Sequence, residues 1–245
     1  MRRLTFFVTL LLSMFCAEHP FYPAPIPAEP VSDIDGNVYQ TVRIGNQVWM
    51  AENLRATHYN DGTPVTLDTS IWTYPKTERY CYYENTTNSD SIKKFGALYT
   101  WYAVETGKLA PAGWHVPSYD EWETLKNYLI IKGYNYDGTV SGNKIGKSLA
   151  AKEDWIASTN KGAIGNDLSK NNITGFSAYP GGIRCYDGYF EDIGERTCFW
   201  SSTDCDSVHP WHMYAYYTYL DYNNGYLFGS NFHRGCGLSV RCVRD

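Results

Sequence analysis

GWHVPSYDEWETLKNYLIIKG, residues 113–133, is the stretch whose reading decides what this chain builds. Ser118 stands where a helix cap belongs, and Glu121, three residues on, returns the hydrogen bond, which is the capping-box pattern. Trp122, Leu125 and Leu129 then recur at helical spacing and form one apolar stripe. Pro117 cuts the helix from what precedes it, and Gly133 is placed to end it. A well-bounded helix is therefore expected from Tyr119 onward.

Around this helix the signals are short. Upstream, FGALYTWYAVETG (95–107) places Ala97, Trp101 and Val104 at helical spacing and reads as a short helix ended by Gly107. Downstream, Ile145 and Leu149 share one side of a second short helix expected around Lys144 to Lys152. Near the start, NVYQTVRI and QVWMAENL flank Gly45-Asn46 and predict a hairpin. After Asn172 the chain becomes a series of β-prone runs divided by glycines and polar turns. Helices gathered in the first half and antiparallel strands in the second predict an α+β domain with two or three helices and short antiparallel strands.

The N-terminus reads differently. Arg2 and Arg3 precede an apolar run from Leu4 to Phe15, long enough for a signal-peptide core and too short to span a bilayer. Residues 1–17 are read as a signal peptide, 18–32 as a proline-rich extended spacer, and 33–245 as one globular domain. Cys16 follows the apolar run where a lipoprotein carries its acylated cysteine, although Met14 and Phe15 replace the small residues a lipobox has. Acylation and plain cleavage both stay open. Export to the outer-membrane surface, the periplasm or the medium is expected, with membrane contact only through such an anchor.

The chain has 245 residues, 43% of them hydrophobic, and a formal charge of −5. Without a long basic run there is no electrostatic reason to gather phosphate backbones, so nucleic acid is not an expected partner. Setting Cys16 aside leaves Cys81, Cys185, Cys198, Cys205, Cys236 and Cys242, an even set that predicts structural disulfides of undetermined connectivity. None shows C-x-x-C spacing, so no metal is expected.

The ordered set GALYTWYAV, GWHVPSYDEWETL, GFSAYPGGIR, FWSST and LSVRCVRD resembles the Fibrobacter succinogenes major paralogous domain, a family of exported bacterial domains. The resemblance covers residues 33–245. That family is similar in fold to the formylglycine-generating enzyme and C-type lectin group: HVPSYDEWE is similar to a helix start in the former, and VRCV to its closing motif. The resemblance implies an irregular C-type-lectin-like, formylglycine-generating-enzyme-like fold and often a lipoprotein signal, and it supplies no activity. Family members often carry a cysteine shortly before GWH, where this chain has Leu109-Ala110-Pro111-Ala112. The partner of Cys242 is thereby left open between Cys81 and Cys236.

The chemistry in the sequence is sparse. A copper-dependent oxidase needs two neighbouring thiolates ahead of the closing motif, and the nearest approach, Cys236 with Cys242, has one member inside that motif. Ser201 or Ser202 with His209, His212 or His233 lacks a nucleophile elbow. Asp120 and Glu123 suit a first helical turn without any substrate. His115 is read as a satisfied, partly buried histidine. What stands out is WHMYAYYTYLDYNNGYLF (211–228), in which Trp211, Tyr214, Tyr216 and Tyr219 offer rings and Asp221, Asn223 and Asn224 offer hydrogen bonds, a mixture that suits sugars. The expected function is a non-catalytic, cofactor-free extracytoplasmic surface module that binds glycan or protein ligands. The alternatives are a cysteine-dependent oxidase or a hydrolase of the envelope, or a purely structural surface component.

Overall fold

The capping box forms as the spacing predicts. Ser118 Oγ accepts from Glu121 N, and the Glu121 carboxylate accepts from Ser118 N at 2.8 Å. The helix it opens runs Tyr119–Ile131, with Trp122, Leu125 and Leu129 buried. Gly133, at φ 78°, adopts the left-handed conformation that closes it.

The computed structural model describes residues 24–70, 75–205 and 213–245. Its first half holds strands β1 (Ile26–Ser32), β2 (Val38–Ile44), β3 (Gln47–Met50), β4 (Thr66–Leu67), β5 (Arg79–Cys81), β6 (Leu98–Tyr99) and β7 (Trp114–His115). The helices are α1 (Ser89–Phe95), α2 (Trp101–Glu105), α3 (Tyr119–Ile131) and α4 (Gly146–Leu149). Strands β8 (Gly181–Arg184), β9 (Phe190–Ile193), β10 (Arg196–Asp204), β11 (Tyr214–Asp221), β12 (Phe228–His233) and β13 (Val243–Arg244) follow. The fold is α+β: two five-stranded sheets, ordered β1-β2-β3-β13-β7 and β12-β11-β10-β8-β9, accompany a small β4-β5-β6 sheet. Most pairings are antiparallel; β8 with β10 and β4 with β5 are parallel.

Three elements differ from the sequence reading. Ile26–Ser32, placed in the spacer by its prolines, is the edge strand β1 and pairs with β2. An edge position tolerates Pro27 and Pro30 because no second partner needs their missing N–H, and the register shifts between Ala28 and Val31. Helix α1 was not foreseen. None of its residues is fully buried, so it has no strong apolar stripe, and its sequence signals are those of its ends: the Asn88 cap, whose side chain accepts from Ser91 N, Asp90 in the first turn, Lys93 and Lys94 in the last, and Gly96 after it. The helix expected across 95–107 is shorter than its periodicity implied, because Leu98–Tyr99 pairs as strand β6 before α2 begins at Trp101. The hairpin around Gly45-Asn46 forms as β2–β3, and the second short helix as α4.

Strand alternation divides the interior into two cores. On β10, Cys198 and Trp200 enter one core with Tyr99, Trp101 and Leu238, while Phe199 enters the other with Trp49, Trp122 and Phe176. In the second core Trp49 and Trp122 lie 4.7 Å apart between ring centroids, and Trp122 stacks on Phe199 at 5.5 Å. The closing motif ties the two halves of the chain together. Val243 pairs with both Trp49 and His115, which puts the chain's last strand inside the N-terminal sheet.

Arg241 is fully buried in this region. Its guanidinium donates to Asn53 Oδ1 at 2.8 Å, to Ser177 O at 2.7 Å and to Phe176 O, and it lies 4.4 Å over the Phe176 ring. Backbone carbonyls and aromatic faces thus stand where water would otherwise solvate the charge.

The expected disulfides are not formed. Among the described residues no disulfide joins any two of Cys81, Cys185, Cys198, Cys205, Cys236 and Cys242. Five are buried, and Cys198, Cys236 and Cys242 in the first core, with Cys81 beside Leu98, serve as small apolar fillers. Burial pushes the Cys81 thiol up to about 11 and Cys185 up to about 12, and it raises Cys198, Cys236 and Cys242 as well. That is the opposite of the thiolate character a cysteine-dependent oxidase requires. Cys16 and the rest of residues 1–17 lie outside the described residues. Among the described residues no helix is long and apolar enough to cross a membrane.

Candidate ligand-binding cleft

The turn between β11 and β12 is built by Asp221. One carboxylate oxygen accepts from Asn223 N at 2.9 Å and the other from Arg196 Nε at 2.8 Å, so a buried charge is met by a donor and a cation. The tip is then stitched to two further loops. Ile164 N donates to Asn224 O at 2.9 Å, Gly165 N to Tyr222 O at 2.7 Å and Gly146 N to Gly225 O at 2.7 Å. Asn143 bonds Leu227 in both directions, Nδ2 to the carbonyl and Oδ1 from the N–H.

Each of the two loops has its own buried organiser. Lys147, 5% exposed, sends its ammonium to the carbonyls of Ala163 at 3.2 Å, Ile164 at 3.4 Å and Asp167 at 3.2 Å, and to that of Asn166. Burial pushes its pKa down to about 8, and nearby Asp167 offsets part of that. Asn135, fully buried, donates to the carbonyls of Thr139, Ser141 and Gly142 at 2.8–3.1 Å and accepts from Lys144 N at 2.8 Å. A loop whose carbonyls are bound from inside is held in one shape.

Where the three loops meet there is an open cleft of about 200 Å³. Tyr136 and Tyr226, 39% and 43% exposed, contribute rings to its lining. Tyr136 lies on the backbone of Gly162, close enough that a Cβ there would sit 2.2 Å from its ring carbons, and Gly162 has φ +80°. Only glycine permits both the left-handed backbone and the ring contact. The floor is polar: Asn223 Oδ1 accepts from Asn160 Nδ2 at 2.9 Å and from Ser158 Oγ at 2.6 Å. Lys144 Nζ donates to Asp137 at 2.6 Å, and that bond raises its pKa above the usual lysine value. Lys161 lines the cleft, exposed, and no described residue pairs with it; the Asn224 carboxamide likewise has no partner among the described residues. Beyond Lys144 and Tyr226 a second hollow of about 250 Å³, reaching Gly142 and Asn143, continues the first.

The residues singled out in the sequence are dispersed by this geometry. Asn223 and Asn224 reach the cleft, and Asp221 lies buried behind it as the organiser of the turn. Tyr214 and Tyr216 point to the opposite sheet face from Tyr219: Tyr216 packs on Tyr119 at 4.8 Å, and Tyr214 meets the His233 ring edge-on. Tyr219 is stacked between Tyr217 and Phe228, at 5.4 and 4.7 Å and within 15° of parallel, so neighbouring rings already occupy its faces. Trp211 lies outside the described residues, as do His209 and His212. Tyr136, Lys144, Lys161, Gly162 and Tyr226 were missed. The one local signal was for the two rings, each Tyr standing beside an Asp-Gly or Asn-Gly turn, in NYDG and NNGY; of these only the asparagines of NNGY were singled out in the sequence.

The remaining residues with potential chemistry are tied into the structure. His115 Nδ1 meets Asp245 at 2.5 Å and Nε2 meets Glu121 at 2.7 Å, which links β7, the chain end and the α3 cap. Ser201 O accepts from Trp101 Nε1, and Ser202 N donates to Pro117 O. A hollow of about 230 Å³ between Tyr82, Tyr83, Ile92 and Phe95 offers fewer converging polar groups than the cleft.

The sequence model of the Fibrobacter succinogenes major domain matches residues 42–244. No curated protein and no solved structure matches the chain.

Proposed function

The chain belongs to the Fibrobacter succinogenes major domain family, and from that premise we propose that it is a non-catalytic extracytoplasmic module that binds glycan in the cleft at the β11–β12 tip. The observation that carries this reading is the pairing of two exposed tyrosine rings, Tyr136 and Tyr226, with the Asn224 carboxamide, which has no partner among the described residues. Sugars present apolar C–H faces and a rim of hydroxyls, and aromatic rings beside amides match both. At about 200 Å³ the cleft is smaller than the roughly 300–1,000 Å³ of sites for drug-sized ligands, and so suits one sugar ring, with the adjoining hollow for the next.

Export through the N-terminal apolar segment, with or without acylation of Cys16, belongs to the same reading, since the ligand would be met outside the cytoplasm. So does the C-type-lectin-like, formylglycine-generating-enzyme-like description of the fold, which the order of the sequence motifs supports. The test is a glycan array followed by titration with the best-retained sugar. Tyr136→Ala and Tyr226→Ala are each expected to weaken binding about tenfold, taking as the scale the roughly 1–3 kcal/mol that a nucleic-acid base gains by stacking on an aromatic side chain, with Tyr226→Ala leaving stability within about 0.5 kcal/mol. Retention of no glycan by the folded protein would reject the reading.

A further inference from the structure

The cleft lining contains two lysines, Lys144 and Lys161, and no carboxylate, in a chain whose formal charge is −5. An ammonium that no described carboxylate pairs, at the mouth of a polar cleft, gives an acidic protein a local potential opposite to its net charge, and such a site attracts anions. The two cations are not equivalent. Lys144 is oriented by Asp137 and by its own N–H on Asn135, which leaves two of its three ammonium hydrogens for other acceptors. Lys161 is exposed and without an ion-pair partner among the described residues, and it precedes Gly162, the residue on which the Tyr136 ring rests. Its neighbour Asn160 is fixed by Asn223 Oδ1, so the backbone on both sides of Lys161 is held. Lys144 also sits where the two hollows join, so successive units of a chain ligand would each lie beside it.

Resting on the glycan reading of the cleft, we propose that its ligand is an acidic polysaccharide whose sugar units carry carboxylates, of the uronic-acid class. Tyr136 and Tyr226 take the ring faces, Asn224 takes hydroxyls, and Lys161 with the free donors of Lys144 takes the carboxylate. A neutral glycan would leave the Lys161 ammonium and the remaining donors of Lys144 without a charged acceptor.

The experiment measures binding of the folded full domain to polygalacturonate and, in parallel, to a neutral galactan, at low and at physiological salt, for the wild type, Lys161→Gln, Lys161→Arg and Tyr226→Ala. Lys161 is exposed and has no ion-pair partner among the described residues, so its variants are expected to fold. The expected result is retention of polygalacturonate over galactan, a loss of about three- to fivefold in Lys161→Gln with recovery in Lys161→Arg, and weakening by salt. Equal binding of both polymers, with Lys161→Gln silent but Tyr226→Ala defective, would overturn the acidic-ligand inference and leave the glycan reading standing. Binding of neither polymer, together with an empty glycan array, would sink both.

Discussion

Arg241 and the cleft lysines are made of the same materials, a cationic side chain set among loop carbonyls and aromatic rings, yet they do opposite things. Around Arg241 the guanidinium finds Asn53, Phe176 and Ser177 and two aromatic faces, and nothing is left for a ligand. At the β11–β12 tip the inward cation, Lys147 of α4, is similarly consumed by the carbonyls of Ala163, Ile164, Asn166 and Asp167, but Lys161, on the loop that Lys147 binds, is exposed with no ion-pair partner among the described residues. The contrast teaches how this fold separates stability from recognition. Buried cations fix loop shape, and the shape then presents rings and donors that the fold itself does not need.

The comparison breaks most readily at its buried end. Arg241→Met removes the donor that four acceptors, on Asn53, Met50, Phe176 and Ser177, share and leaves buried carbonyls unmet, so it is expected to cost about 3 kcal/mol or more in urea unfolding. A cost below about 1 kcal/mol would mean that Arg241 is not the tie between the two halves of the chain. Gly162→Val acts at the boundary between the two regions, because it forces a β-branched residue to φ +80° and drives a Cβ into the Tyr136 ring. It should cost about 2 kcal/mol and also abolish ligand binding, whereas a variant that lost stability but kept full affinity would uncouple Tyr136 from the site.

The smallest effect is a pH dependence away from both regions. Burial lowers the pKa of His115, but its hydrogen bonds to Asp245 and Glu121 outweigh that and leave it raised above 6.5. Glu121, which burial pushes up, is held below 4.5 by its bonds to Ser118 and His115. A raised histidine contributes stability fully below about 6.5 and loses it as pH climbs through its folded value, and a lowered carboxylate contributes above about 4.5 and loses it as pH falls. The destabilisation by His115→Gln should therefore be largest near pH 5–6 and shrink by pH 8. A difference that grows toward pH 8 would show that the ring is held as a neutral tautomer.

The elements that could be read from sequence are those whose signal is local. Capping by Ser118 and Glu121, the stripe of Trp122, Leu125 and Leu129, and the Gly45-Asn46 turn each lie within a few residues, and each forms. Helix α1, none of whose residues is fully buried, left too weak a periodicity to find. The cleft was legible only at Asn223 and Asn224, because it is assembled from three loops whose contacts span up to 84 residues, as between Asn143 and Leu227. The tyrosine strand misled for a physical reason. Alternation sends Tyr214 and Tyr216 to one face and Tyr219 to the other, where cross-strand stacking with Phe228 occupies its ring. The even cysteine count misled as well, since the thiols serve as apolar filling.

Amide and side-chain NMR shifts followed during titration with oligogalacturonides, and in parallel with neutral cello-oligosaccharides, test the location of the site most directly. The cleft account predicts saturable shifts confined to Tyr136, Lys144, residues 160–163 and residues 223–226, with the rest of the domain unmoved. Shifts centred instead on Tyr217, Tyr219 and Phe228, or no shift with any sugar, would contradict it.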